Sequence, residues 1–252
     1  MLTLYAPTAM VVASSWTLLA GTGLLAGLLC LDETGAVQSW LGQPLPAALL
    51  TGLLWGRPEV GLAVGFPLQM VLVGNLPVGQ SFVGDPVTAA VAVTAAACRA
   101  SLAGIGMPDG SLSLDVALWG WLLLGAGLLS LVGHRLVRAE REAFGLWMHE
   151  GRLSLRDGDP GRLERLHLQC VGVTFLRGAA LSIVYVLLVQ ELWLPVFPRL
   201  GMYGHRALAL LPFLLPGLGI GALIERYGCR RCWTWLVAGA GLALLSWGVL
   251  AS

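Results

Sequence analysis

The chain has 252 residues, of which 57% are hydrophobic and only 12% charged. Soluble domains carry about 25% charged residues, so a soluble globular fold is excluded, and a net charge of +1 gives no reason to expect nucleic acid. All fifteen basic residues are Arg, and the five cysteines, Cys30, Cys98, Cys170, Cys229 and Cys232, are odd in number and scattered, which argues against a disulfide framework.

Residues 1–7 carry no basic side chain, so they lack the charged start of a signal peptide. The first apolar run, 9–31, therefore reads as a retained membrane helix. A run of about 20 apolar residues spans the hydrocarbon as a helix. A polar stretch, 32–44, follows, and Asp32 and Glu33 end the first run. They either face a polar cavity or mark the membrane edge.

Segment two, 45–55, is too short to cross alone, and Gly56-Arg57-Pro58-Glu59 breaks it from segment three, 60–73. Short, interrupted segments are how transporters build re-entrant or broken helices near a solute site. The polar, Gly/Pro-rich stretch 74–86 comes next. It is either such an interruption or a plain loop.

Segment four, 87–105, is rich in Ala and Val, and segment five is 116–132. The longest hydrophilic stretch, 134–167, holds seven Arg. Its early part, 135–147, mixes Leu136, Val137, Phe144 and Trp147 with charges and reads as an amphipathic helix lying on the membrane or as a solvated helix–turn. Segments six, seven and eight are 171–189, 207–224 and 233–251. The fold class is thus an all-α, polytopic membrane bundle of about eight apolar segments, some re-entrant or broken, in one domain. The Arg-rich stretch and the cluster Arg226, Arg230 and Arg231 belong in the cytoplasm by the positive-inside rule. Segments six and seven then make one excursion out and back, and segment eight leaves the C-terminus outside.

Three GxxxG spacings, 23–27, 61–65 and 217–221, read as close helix packing. Trp40, Trp55, Trp193 and Trp233 stand near segment ends, as interfacial anchors do. The spacing Cys229–Cys232 has no second ligand pair near it, and neither a metal site nor a cofactor is expected. No GxSxG, HExxH or phosphate-cradling loop occurs, so catalytic residues are not assigned.

Candidate binding residues collect elsewhere. Gln69 lies in an apolar run, Asn75 is the only Asn in the chain, and Gln80 and Asp85 follow. Amides and carboxylates match the donors and acceptors of a sugar, and polar groups at membrane depth are candidates for function. Asp85-Pro86 also reads as a helix N-cap followed by Pro at the first position. Arg99 stands too far along the same helix to pair with Asp85. It and Arg177 either snorkel or pair with an acid on another helix.

Order and spacing over 43–87 carry a family resemblance. The stretch from Pro44 to Gly56, then Glu59 to Met70, then Val78-Gly79 through Asp85-Pro86, resembles the IIC subunit of mannose-family (mannose/fructose/sorbose) sugar phosphotransferase systems. Leu31-Asp32-Glu33 resembles the family's LDE element, and Leu166-His167-Leu168 and Leu176-Arg177 resemble its later His and Arg. The likeness is best over 27–105 and thinner after 170.

The resemblance implies a permease subunit of the bacterial inner membrane that moves a hexose or related sugar. It implies a IID membrane partner, an oligomer of IIC–IID units, and phosphorylation by IIB, supplied through enzyme I, HPr and IIA. It also implies that IIC carries no phosphohistidine. One departure stands out: Gln69 occupies the Glu of the family's LEM motif, which keeps hydrogen bonding and loses charge assistance. A non-transporting scaffold for phosphotransfer proteins and an unrelated secondary transporter are the alternatives.

Overall fold

The structure is a computed structural model. It describes residues 8–34, 39–72, 84–102, 115–156, 158–228, 233–234 and 237–239, and, within these, not the side chains of 8–15, 33, 34, 72, 102, 226 and 227. Asn75, Gln80, the side chain of Glu33, Cys229, Cys232 and most of segment eight lie outside the described residues.

Eight α-helices make the described fold, and no strand occurs among the described residues. They are α1 (Thr8–Thr34), α2 (Pro44–Leu54), α3 (Pro58–Leu72), α4 (Pro86–Leu102), α5 (Val116–Arg156), α6 (Pro160–Leu188), α7 (Met202–Leu208) and α8 (Leu211–Tyr227). A π-helical turn, Val189–Trp193, and a 3₁₀ turn, Leu194–Arg199, continue α6. Among the described residues, Val116–Arg156, Pro160–Arg199 and Met202–Glu225 are each long and apolar enough to cross a membrane. The chain is a multi-pass, all-α membrane protein.

Helices α2 and α3 form a hairpin that goes halfway in and returns. With 11 residues, α2 is about 16 Å long at 1.5 Å per residue. Its foot is tied to the end of α1, where Asp32 accepts the backbone N–H of Gly42 at 2.7 Å. Its tip is tied to the middle of α1, where Trp55 Nε1 donates to Thr22 Oγ1 at 2.9 Å. The ten residues between Asp32 and Thr22 also cover about 15 Å, so α1 and α2 run antiparallel and the tip ends at mid-helix depth. The return is built from local chemistry. Gly56 adopts φ +68°, Gly56 N–H bonds Leu53 O and Arg57 N–H bonds Gly52 O, the paired bonds of a Schellman ending. Pro58 then opens α3.

Glycine lets the two arms touch. A Cβ on Gly61 would lie 2.5 Å from Ala48 O, and one on Gly65 would lie 2.9 Å from Ala48 Cβ. The 61–65 spacing thus packs within the chain, and 23–27 does the same against Ile183 and Phe175 of α6. The 217–221 spacing does not: both glycines face open space, and Gly219 between them meets the Met70 backbone instead. Two of the tryptophans are likewise not interfacial anchors. Trp55 is buried at the hairpin tip. Trp193 stacks on Trp121 with ring centroids 4.1 Å apart, each indole N–H bonding the other residue's carbonyl at 3.0 Å.

The central helix is α4, buried along nearly its whole length. Thr88 lies beside Cys30 near the end of α1 (3.5 Å). The feet of the hairpin, the end of α1 and the start of α4 therefore share one end of the bundle.

At that end the bundle continues outward. Helix α5 does not stop at residue 132 but runs unbroken for 41 residues, about 60 Å. The stretch 134–156 is its extension, and 160–167 is the start of α6. No surface-lying helix forms. Gly133, Val137, Glu140, Phe144, Trp147, Gly151 and Ser154 recur at heptad spacing and are the more covered positions. Helix α6 covers that face: a Cβ on Gly151 would lie 2.9 Å from Leu163, and Arg162 pairs with Glu150 at 3.6 Å. Asp159 caps α6 by accepting Arg162 N–H at 3.1 Å. Amphipathicity was read correctly; its partner is a second helix rather than lipid.

Candidate functional site

Three of the residues singled out by sequence lie at the hairpin end of the bundle, and each is engaged by backbone. Asp32 Oδ1 accepts the N–H and the hydroxyl of Ser39 at 2.8 and 2.7 Å, and Oδ2 accepts Gly42 N–H. Asp32 thus shapes the turn that feeds α2.

Gln69, on the last turn of α3, reaches across to the first turn of α2. Its Oε1 accepts Leu45 N–H at 3.2 Å, and its Nε2 donates to Gln43 Oε1 at 3.3 Å. The first N–H groups of a helix have no partner within it. Gln69 supplies one from the opposite arm of the hairpin, because Gln43 at the N-cap makes no capping bond of its own. Gln43 and Gln69 form an amide pair at the hairpin's mouth, and Gln43 was missed by sequence reasoning.

Asp85 combines two roles. Its Oδ1 accepts Thr88 N–H at 3.2 Å, the N-cap expected from Asp85-Pro86. Its Oδ2 accepts from Arg177 Nη1 at 2.9 Å. Arg177 Nε in turn donates to Glu140, which also accepts the Thr174 hydroxyl. The side chains of Asp85, Glu140 and Arg177 are 0%, 7% and 13% exposed. A Cβ on Gly133 would lie 2.5 Å from Asp85 Cβ, so only Gly on α5 admits the carboxylate. The cluster joins α4, α5 and α6 where the membrane bundle gives way to the extended hairpin.

The alternative left open for Arg177 is thereby resolved. Arg177 pairs with acids on two other helices. Arg99 donates to Gln190 Oε1 at 2.7 Å. Glu140 was missed because it reads as one acid among several in a charged stretch. Its heptad position beside Val137 and Phe144 was the available signal.

Nothing in this arrangement resembles a nucleophile with its base. No group of three or more His, Cys, Asp or Glu able to hold a metal occurs among the described residues. What the hairpin end offers is hydrogen bonding: two amides, helix-start N–H groups and a carboxylate. A separate groove of about 440 Å³ between α3, α4, α5 and α8 is lined by Leu68, Val71, Ala89, Leu124 and other apolar groups, with Ser130 as its polar exception. Such a lining does not suit a sugar.

The family described as "PTS system sorbose-specific iic component" (EII-Sor) matches residues 16–247. A solved structure described as "Structure of membrane protein" is similar in fold, with a TM-score of 0.68 at 17% identity, covering 98% of this chain and 93% of that one. No curated protein matches. The family match spans the re-entrant hairpin, the buried cluster and the long α5–α6 pair, and sets aside an unrelated secondary transporter: the chain belongs to the EII-Sor family of sugar phosphotransferase IIC components.

Proposed function

We propose that this chain is the IIC permease subunit that carries a hexose or related sugar across a bacterial inner membrane, alongside a IID membrane subunit. Sugar leaving the pair is phosphorylated by IIB, whose phosphate arrives through HPr and IIA. The observation that carries this reading is the half-depth hairpin. Its mouth gathers Gln43, Gln69 and Asp32 at one end of the bundle, and polar groups at a broken helix are how transporters meet a polar solute. Asn75 and Gln80, by the hydrogen-bonding capacity of their amides, and Glu33, by its likeness to the family's LDE element, are proposed for the same sugar site.

Orientation follows from charge. The extended α5–α6 pair carries seven Arg between 134 and 167, which puts that end of the bundle in the cytoplasm. The hairpin then enters from the cytoplasmic side, and the start of α1 is outside. Sugar released at the hairpin's mouth meets the soluble phosphotransfer proteins directly. The test is uptake of labelled sorbose, mannose and fructose in cells lacking their own permeases for these sugars. Uptake of one of them that requires phosphoenolpyruvate and the IID gene supports the reading; none, with the protein present in the membrane, defeats it.

A second reading is a scaffold that binds phosphotransfer proteins without moving sugar. The protruding helix pair favours it, because Leu146, Met148, Leu153 and Leu155 are exposed there beyond the membrane bundle. It requires partner binding with no sugar flux.

A further inference from the structure

The apolar groove between α3, α4, α5 and α8 holds about 440 Å³. Small and large residues divide its lining. Ala89 and Ala126 make part of its covered side, while Leu124, Leu128 and Leu131 are exposed along it. Small groups beneath large ones leave a channel rather than a flat face. Gly127 lines it too, and a Cβ there would meet nothing within 4 Å. Gly125, two residues earlier, is pressed against Trp193 instead.

The groove also changes character along its length. From Leu123 to Leu131 it follows α5 for about 12 Å. Ser130 lies at one end, and its carbonyl accepts Asp85 N–H at 3.4 Å. That end is therefore level with the start of α4, where the membrane bundle gives way to the extended helix pair. Leu124, Leu128, Leu131, Arg135 and Arg138 follow at spacings of four, three, four and three, so they share one face of α5. Arg135 thus stands one turn beyond the groove, in line with it, and is exposed. Glu142, the acid next on that face, is matched by Arg138 at 3.0 Å.

An apolar channel that ends at a hydroxyl and then a guanidinium has the polarity of a phospholipid. The hydrocarbon lies at bundle depth and the phosphate where the helices emerge. The planar fork of Arg suits phosphate oxygens. Basic groups at the cytoplasmic ends of membrane helices attract anionic headgroups.

We propose that the groove seats an acyl chain of one anionic phospholipid, whose phosphate is held by Arg135. In the orientation given above, this lipid belongs to the cytoplasmic leaflet. Leu68 and Val71 line the groove and stand on either side of Gln69 in the chain. The bound chain therefore braces the hairpin arm that carries the amide pair against α4 and α5. The site stands apart from the transport reading and survives its failure.

The test titrates the full chain in mild detergent with phosphatidylglycerol and with phosphatidylcholine of the same acyl chains, and counts bound lipid by native mass spectrometry. The wild type should bind one phosphatidylglycerol about fivefold more tightly than phosphatidylcholine, the worth of one Arg at the bilayer surface. Arg135→Gln should abolish that preference. Gly127→Leu fills the open space and should weaken both lipids about tenfold, the worth of roughly two buried methylenes. It should not lower Tm in lipid-free detergent, which separates a filled groove from a damaged fold. Equal affinity of the wild type for the two lipids, or undiminished binding by Gly127→Leu, overturns the site. Loss of the lipid whenever a IID subunit is bound also overturns it, and makes the groove a subunit contact.

Discussion

Replacing Arg177 with Met keeps the length of the side chain and removes the charge that holds two acids. Asp85 is fully buried and Glu140 nearly so. In the wild type the cluster carries two negative charges against one positive; in Arg177→Met nothing opposes the acids. Breaking a buried pair by removing one partner costs about 3–5 kcal/mol. The lower end applies here, because Asp85 keeps the Thr88 N–H and Glu140 keeps the Thr174 hydroxyl. A loss of about 3 kcal/mol shifts a folding equilibrium roughly 100-fold and a chain of this size by on the order of 10 °C in Tm. Thermal unfolding of the purified protein in mild detergent reads the shift directly. Arg177→Met combined with Asp85→Asn and Glu140→Gln should recover at least half of it, since neutral amides remove the uncompensated charge. A single mutant within 2 °C of wild type, or a triple mutant worse than the single one, refutes the assignment of this cluster as the tie between α4, α5 and α6.

Gly61→Val drives a side chain into the Ala48 carbonyl of the opposite arm and should destabilise by about 1–3 kcal/mol, whereas Gly217→Val, facing open space, should leave Tm unchanged. Trp55→Phe removes the bond to Thr22, which retains its bond to Leu18 O, and should cost about 1 kcal/mol in the same melt. Glu164→Cys, on the exposed end of α6, should react with a membrane-impermeant maleimide only from the cytoplasmic face; labelling from outside would invert the orientation. Gln69→Glu places a carboxylate at the start of α2, where the helix dipole favours it, but loses the donor to Gln43. Its expected effect is a changed order of preference among sorbose, mannose and fructose in competition uptake, and an unchanged order would remove Gln69 from the sugar site.

Much of the fold was legible because the bilayer imposes long apolar runs. The 45–55 and 60–73 segments were visibly too short, and the break at Gly56-Arg57-Pro58 marked the turn that α2 and α3 make. Long-range pairing was less legible. Arg177 stood out as a charge in an apolar segment, but its acids lie 37 and 92 residues away, and no local pattern joins them. The stretch 134–156 misled because its charges suggest a loop, while its heptad spacing of Val137, Glu140, Phe144 and Trp147 describes a helix that another helix covers. Trp55 shows the same limit. Position near a segment end suggested a membrane interface, yet a hairpin that turns at half depth puts its end in the core.

The most direct measurement is the chemical form of the sugar that has crossed. Inside-out vesicles holding this chain and a IID subunit are loaded with labelled sugar and given IIB, IIA, HPr, enzyme I and phosphoenolpyruvate on the outside, which corresponds to the cytoplasmic face. The expected result is release of sugar phosphate to the outside, dependent on phosphoenolpyruvate and on this chain. Release of unmodified sugar at the same rate without phosphoenolpyruvate, or binding of IIB with no release at all, would contradict a phosphotransferase permease.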